Sequence, residues 1–145
     1  MKIRMSIIAA GAAVVLGGTG ALALPAVASA HSATHTLKFT SVTIKSVQFT
    51  KTSRGLQDTD VNSNGKTIGF DEANITFASK TSATADVAID ISGGFLYGTV
   101  TTTNGGKTFT GKVTGGTGAF TAATGTITAK ALTSTKTAVT IIYST

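Results

Sequence analysis

The sequence predicts an all-β domain, on three observations. After residue 30 the chain is rich in threonine, valine, isoleucine and glycine and contains no proline, a composition typical of strands. Apolar and polar residues alternate over several short stretches, so each predicted strand has one apolar and one polar face. Clusters of glycine and asparagine separate these stretches and predict tight turns. Such strands bury their apolar faces in a sandwich or a barrel, and the absence of tryptophan, cysteine and long loops favours a closed antiparallel barrel.

The alternation predicts seven strands, one of which could divide into two and so supply an eighth. The first strand changes phase along its length, which predicts a bulge or sharp bend that could split it into two. Asn104 and Gly105 form a dipeptide suited to a two-residue hairpin turn. The predicted strands are residues 37–50, 67–79, 83–92, 94–103, 107–114, 121–132 and 136–144.

The sequence of the N-terminal segment indicates that the protein is exported. Lys2 and Arg4 precede an apolar run over residues 7–24, and small residues at positions 28 and 30 form an A-x-A site. This layout is typical of a secretory signal peptide, here residues 1–30, with cleavage after Ala30. A transmembrane anchor is the alternative, but the glycines in the run and the adjacent cleavage site favour removal. We therefore expect a secreted, extracellular protein that is not attached to a membrane after cleavage.

The mature chain is long enough for one domain. We expect a flexible N-terminus at residues 31–36 and a single barrel domain at residues 37–145. Ten basic and six acidic side chains remain after cleavage, and the arginines are not clustered, so we expect no nucleic-acid partner. Without cysteine the domain has neither disulfides nor thiolate ligands. His31 and His35 lack further ligand residues nearby in sequence and stay unassigned.

The stretch "GGTGAFTAATG", residues 115–125, has the glycine content of a phosphate loop but not its context. A phosphate loop needs a following lysine and a helix, whereas the residues that follow alternate like a strand and the nearest lysine comes before. We therefore predict that the glycines at 115, 116 and 118 form a tight turn with positive φ. Gly125 would allow close approach of two strands, and Phe120 would close one end of the barrel.

The segment "KTFTGKVTGGTGAFTAATGTITA", residues 107–129, resembles the allene oxide cyclase barrel-like and dirigent-like family. The acidic and glycine-rich segment "DTDVNSNGKTIGFDE", residues 58–72, extends the resemblance more weakly, to about residues 42–144 in all. The resemblance implies a closed eight-stranded antiparallel barrel that acts on hydrophobic reactive molecules inside it, without a metal or an organic cofactor. The catalytic motifs of the plant members have no counterpart in this chain.

Two functions from different classes are compatible with this fold. The first is a barrel that binds a hydrophobic or aromatic small molecule in its lumen, with dirigent-like or cyclase-like activity as an extension. The alternative is a non-enzymatic cell-surface or extracellular matrix protein with a filled barrel, which contacts wall polymer or copies of itself as a homo-oligomer. An open lumen with converging polar groups would favour the first, and a filled lumen the second.

Candidate site residues follow from the first function. The candidates for an acid or base near the barrel mouth are Asp58, Glu72 and Tyr97, and Arg54 is the candidate for binding an anion. The alternative for each of them is a solvated position on a loop or at the rim. The aromatic candidates for contact with a ligand are Phe77, Phe95, Tyr97 and Phe109. The small residues expected to leave space beside them are Gly111, Gly125 and Ala129.

Residues 60–71, "DVNSNGKTIGFD", also have the spacing of a calcium loop. The five oxygen ligands would come from Asp60, Asn62, Asn64, the carbonyl of Lys66, and Asp71, with a glycine at position six. The segment lacks flanking helices and the usual bidentate glutamate. A plain Asn-Gly hairpin is therefore the alternative, and calcium is the one structural cofactor the sequence suggests.

Overall fold

The computed structural model describes residues 33–145, which form a closed barrel of eight antiparallel strands and one short 3₁₀ helix. Each strand pairs with the next, and β8 pairs with β1 to close the sheet. The predicted fold class is therefore confirmed. The predicted signal peptide and its cleavage site lie outside the described residues. The strands are β1 Thr34–Thr50, β2 Ser53–Val61, β3 Thr67–Phe77, β4 Ala83–Ile91, β5 Gly94–Thr102, β6 Thr108–Gly116, β7 Thr124–Ala131 and β8 Lys136–Ser144, with the 3₁₀ helix Gly118–Phe120 between β6 and β7.

Strand β1 is long, continuous and bulged. Its pairing with β2 shifts register between Thr43 and Lys45 and again between Gln48 and Thr50, as the change of phase predicts. The prediction that this strand splits in two to supply the eighth strand is wrong, because the eighth strand is β2. β1 also begins at Thr34, within the predicted flexible N-terminus, since its first residues pair with β8 and His35 stacks on Tyr143 with ring centroids 5.3 Å apart.

The two ends of the barrel are filled differently. At the end where β6 finishes, which we call the Phe120 end, Phe120 packs edge-on against Tyr143 with ring centroids 5.6 Å apart. Beneath it lie fully buried apolar side chains, including Leu96 and Ile141. Phe120 is itself buried, so this end is closed as expected. At the opposite end, β5 and β6 are joined by residues 103–107, a longer connection than the predicted two-residue turn.

The glycine-rich segment forms the turn that closes the Phe120 end. Gly115 and Gly118 have φ of +150° and +59°, as predicted, but Gly116 is not among the residues with positive φ. A side chain at Gly116 is instead excluded by close contact with the carbonyl of Phe95 and with Phe120. The backbone N–H of Ala119 donates to the carbonyl of Gly93 at 2.8 Å, which holds this turn against the β4–β5 turn. The segment is structural, and none of its residues lines the cavity described next.

Among the described residues, no helix has the length and apolar character needed to cross a membrane.

Candidate functional site

The barrel interior contains a cavity of about 100 Å³. Its wall reaches Phe109 and Thr137, close to the first residues of β6 and β8, so the cavity lies towards the end opposite Phe120. Most of its lining is apolar, with small alanines beside larger aliphatic side chains. The lining residues are Phe39, Ser41, Leu56, Asp58, Asp71, Ala73, Ile75, Ala85, Val87, Ile89, Val100, Phe109, Ile127, Ala129, Thr137 and Val139.

Three aspartates occupy the inner face of β2 and β3. Asp58 and Asp71 lie directly opposite each other across the two strands, and both line the cavity. Asp60 is two residues further along β2, nearer the Phe120 end, and is completely buried. Ser41 on β1 donates a hydrogen bond from its Oγ to Oδ2 of Asp58 at 2.6 Å. The polar part of the cavity wall is therefore made of the carboxyl groups of Asp58 and Asp71 and the hydroxyls of Ser41 and Thr137, with Asp60 buried beyond it.

The carboxyl oxygens are incompletely partnered. Within residues 33–145, Oδ1 of Asp58 and both side-chain oxygens of Asp60 receive no hydrogen bond from an amide, hydroxyl or basic group. Buried polar atoms in proteins are nearly always hydrogen-bonded, so each exception needs a cause. Here the neighbour of Asp60 is the carboxyl of Asp71, and two carboxyl groups can bond to each other only when one of them keeps its proton.

Burial accounts for which carboxyl keeps the proton. Removal from water raises the pKa of Asp60 to about 9, and its hydrogen bond to Asp71 and the negative charges of Asp71 and Asp58 add to the rise. Burial also raises the pKa of Asp71, but hydrogen bonding from Asp60 opposes part of that rise. The raised pKa of Asp60 therefore favours its protonated form at neutral pH. A carboxyl held in this way can donate a proton to, or accept one from, a bound molecule.

The predicted acid and base residues separate into one that lines the cavity and three that do not. Asp58 lines it. Glu72 lies on the outer face, where it accepts a hydrogen bond from Nε2 of Gln57 at 3.0 Å. Tyr97 is 40% exposed and also faces outward. Arg54 shares the inner face of β2 but is exposed at the rim, with its guanidinium carbon 5.8 Å from the centre of the Phe77 ring.

The predicted aromatic contacts divide in the same way. Phe109 lines the cavity, and Phe77 is half-buried at the rim near Arg54. The prediction that Phe95 and Tyr97 point inward is wrong, because both are 40% exposed and stack on each other outside the barrel. The inner face of β5 carries Leu96, Gly98 and Val100 instead, and the two aromatic rings lie on the outer face of the strand.

Of the three small residues expected to leave space, only Ala129 lines the cavity. A side chain at Gly111 would meet the backbone of Thr99 and Val100, and one at Gly125 would meet the backbone of Ile142 and Tyr143. The missing side chains at these glycines are thus replaced by the neighbouring strand and not by open volume. For Gly125, this is the predicted close approach of two strands. The alanines at 73 and 85 are the small cavity residues that sequence reasoning missed.

The segment with calcium-loop spacing folds as a hairpin. The backbone N–H of Asn62 donates to the carbonyl of Lys66 at 2.9 Å, and Oδ1 of Asn62 accepts from the N–H groups of Asn64 and Lys66. Asp60 and Asp71 point into the barrel, whereas Asn64 and Lys66 are exposed at the turn. No group of three acidic or histidine side chains within residues 33–145 is arranged to hold a metal ion. Calcium binding by this segment stays a prediction.

The hairpin also provides a sequence signal for the site. Asp58 and Asp71 are equally distant from the Asn64-Gly65 dipeptide, so a hairpin centred there places them opposite each other. The two residues are predicted from the sequence for unrelated reasons, one as an acid or base and one as a calcium ligand. If residues 60–71 are treated as a hairpin centred on Asn64-Gly65, its register alone predicts that Asp58 and Asp71 lie opposite each other.

Solved structures that share the barrel fold include the following two. A pyocyanin demethylase is 18% identical, with a TM-score of 0.63, and the match covers 76% of this chain and 100% of that one. The Diels-Alderase AbnU, described as exo-specific and intermolecular, is 8% identical, with a TM-score of 0.57, and the match covers 77% of this chain and 98% of that one. At these identities the likeness is one of fold. No protein-family model matches the chain, and no curated protein is similar to it in sequence.

Proposed function

We propose that this barrel binds a hydrophobic or aromatic small molecule in its lumen and that the carboxyl groups of Asp58 and Asp71 act on the bound molecule. The observation that carries the proposal is the cavity itself, which is apolar over most of its wall and has two buried carboxyl groups converging at one side. An apolar cavity with a few placed polar groups is the usual form of a small-molecule site. Dirigent-like or cyclase-like activity is the chemistry that we propose for it.

Two further observations support the proposal. The two similar structures described above carry names of proteins that act on small organic molecules, and the glycine-rich segment resembles the allene oxide cyclase barrel-like and dirigent-like family. A secreted protein of this kind would meet its ligand outside the cell. The alternative, a matrix protein with a filled barrel, is less compatible with an open lumen that contains buried carboxyl groups.

The size of the cavity limits the enclosed part of the ligand. About 100 Å³ is of the same order as the roughly 150 Å³ engineered cavity that accepts benzene. The cavity therefore encloses about one six-membered ring, and the rest of a larger ligand, such as the second ring of indole, would extend towards the end near Phe109 and Thr137.

Indole offers a direct test of binding. The chain contains no tryptophan, so indole fluorescence can be followed against little protein background. We expect saturable binding of indole to the native mature protein, with a dissociation constant of about 10 to 500 µM, and displacement by phenol or a small monoterpene. Indole that neither saturates nor is displaced would contradict the proposed function.

A further inference from the structure

The polar side of the cavity contains acceptors and no positive charge. Its polar lining consists of Ser41, Asp58, Asp71 and Thr137, and none of the lining residues is lysine, arginine or histidine. Asp58 and Asp71 are 7% and 8% exposed. Two carboxyl groups face each other across the strand pair, and like charges in that position repel. The cavity therefore has unsatisfied negative character in an apolar enclosure.

One acceptor atom on the cavity wall is buried and lacks a donor. Oδ2 of Asp58 is taken by the hydroxyl of Ser41, but Oδ1, on a side chain more than nine-tenths buried, has no donor within residues 33–145. An unpaired buried carboxylate is unfavourable, and a ligand that donates a charged hydrogen bond reduces that penalty. Charge-assisted hydrogen bonds are about twice as strong as neutral ones.

We infer that the ligand class is a small aromatic or alicyclic amine, whose protonated nitrogen bonds to Asp58 and Asp71 while its ring fills the apolar wall. The inference rests on the proposed function and specifies the ligand for that same cavity. A neutral hydroxyl of equal shape can donate only an uncharged, weaker hydrogen bond to these carboxyl groups, and an anion adds a third negative group.

Arg54, a cation at the barrel rim, does not neutralise the cavity. Arg54 lies at the rim, where its Nε–H donates to Oε1 of Gln48 at 3.1 Å and its guanidinium lies over the Phe77 ring. It is outside the lining of the cavity. If Arg54 turned inward instead, the site would select an anion, and this alternative makes a different prediction for the same experiment.

Three ligands of the same ring size distinguish these possibilities. Benzylamine is a cation at pH 7.5, benzyl alcohol is neutral and benzoate is an anion. We expect the wild-type protein to bind benzylamine at least about tenfold more tightly than benzyl alcohol, and benzoate most weakly, when each is measured by displacement of indole or by calorimetry. This order needs no variant, so it can be measured even if a substitution impairs folding.

Two variants then locate the preference. Asp58→Asn, and separately Asp71→Asn, should reduce the benzylamine preference to less than about threefold while benzyl alcohol still binds. Asp90→Asn, on an exposed position of β4, is the matched control and should keep the full preference.

The other possible results of these binding experiments contradict different parts of the proposal. Benzyl alcohol binding as tightly as benzylamine, or a preference that survives both cavity variants, would overturn the inference and leave the proposed function standing. Tightest binding of benzoate would overturn it in favour of Arg54. Failure of all three ligands and of indole to bind would overturn the proposed function and this inference with it.

Discussion

Asp60→Asn should make the protein more stable at pH 8 than the wild type, by about 1 to 4 kcal/mol, and should change stability at pH 5 by less than about 1 kcal/mol. Asp60 is completely buried, and its pKa is raised from 3.8 to about 9. Between these values the folded protein holds a proton that the unfolded chain has released. Stability from this group is therefore fully present below about pH 4 and is lost as pH rises towards about 9, by at most about 1.4 kcal/mol per pH unit.

Asparagine isolates this effect because it keeps the donor and does not titrate. Its Nδ2–H group is a neutral donor in place of the protonated carboxyl. The measurement is the free energy of unfolding by urea from pH 4 to pH 9 for both proteins, with Asp90→Asn as an exposed control that should run parallel to the wild type. Parallel curves for Asp60→Asn and the wild type would mean that Asp60 does not hold its proton in the folded barrel.

Gly118→Ala should destabilise the barrel by about 2 to 4 kcal/mol, which lowers the melting temperature by about 6 to 20 °C. Gly118 has φ of +59°, and an added Cβ would clash with the carbonyl of Gly93 in the adjoining turn. That carbonyl also accepts the hydrogen bond from Ala119, so it cannot move away without losing the bond.

Gly105→Ala is the matched control for the clash. Gly105 has φ of +73°, but a Cβ there meets no atom within 4 Å. Its substitution should therefore cost only the backbone strain, about 1 kcal/mol. Thermal melts of both variants separate the two contributions, and equal losses would show that the contact between the two turns adds nothing to stability.

The strands with apolar inner faces could be predicted from the sequence, and β2 could not. The inner face of β2 carries Asp58 and Asp60 beside Leu56, so this strand lacks the apolar alternation expected of a strand in a barrel. The conflict between pattern and fold occurs where the site is. Local patterns that disagree with the fold are expected at functional positions, because a buried charge is retained there at a cost in stability.

The orientation of β5 could not be predicted for a different reason. Gly98 occupies an inner position, and the side chain of Ile127 packs in the space where its Cβ would be. Because position 98 has no side chain, one face of the predicted strand carries two large aromatic residues, Phe95 and Tyr97. The other face carries only Leu96 and Val100, so the sequence makes the aromatic face look like the buried one. Which phase faces inward depends on packing from another strand, and the sequence of β5 does not contain that information.

Filling the cavity tests the central claim most directly. Ala85 on β4 is buried and lines the cavity, whereas Ala88 on the same strand lies opposite Tyr97 on the outer face. Ala85→Leu should reduce indole affinity at least about tenfold, because the larger side chain takes up volume that the ring needs, at a cost of about 1 to 3 kcal/mol in stability. Ala88→Leu should bind indole within about twofold of the wild type. If Ala85→Leu is folded, by circular dichroism and a cooperative melt, and still binds indole like the wild type, the lumen is not the binding site.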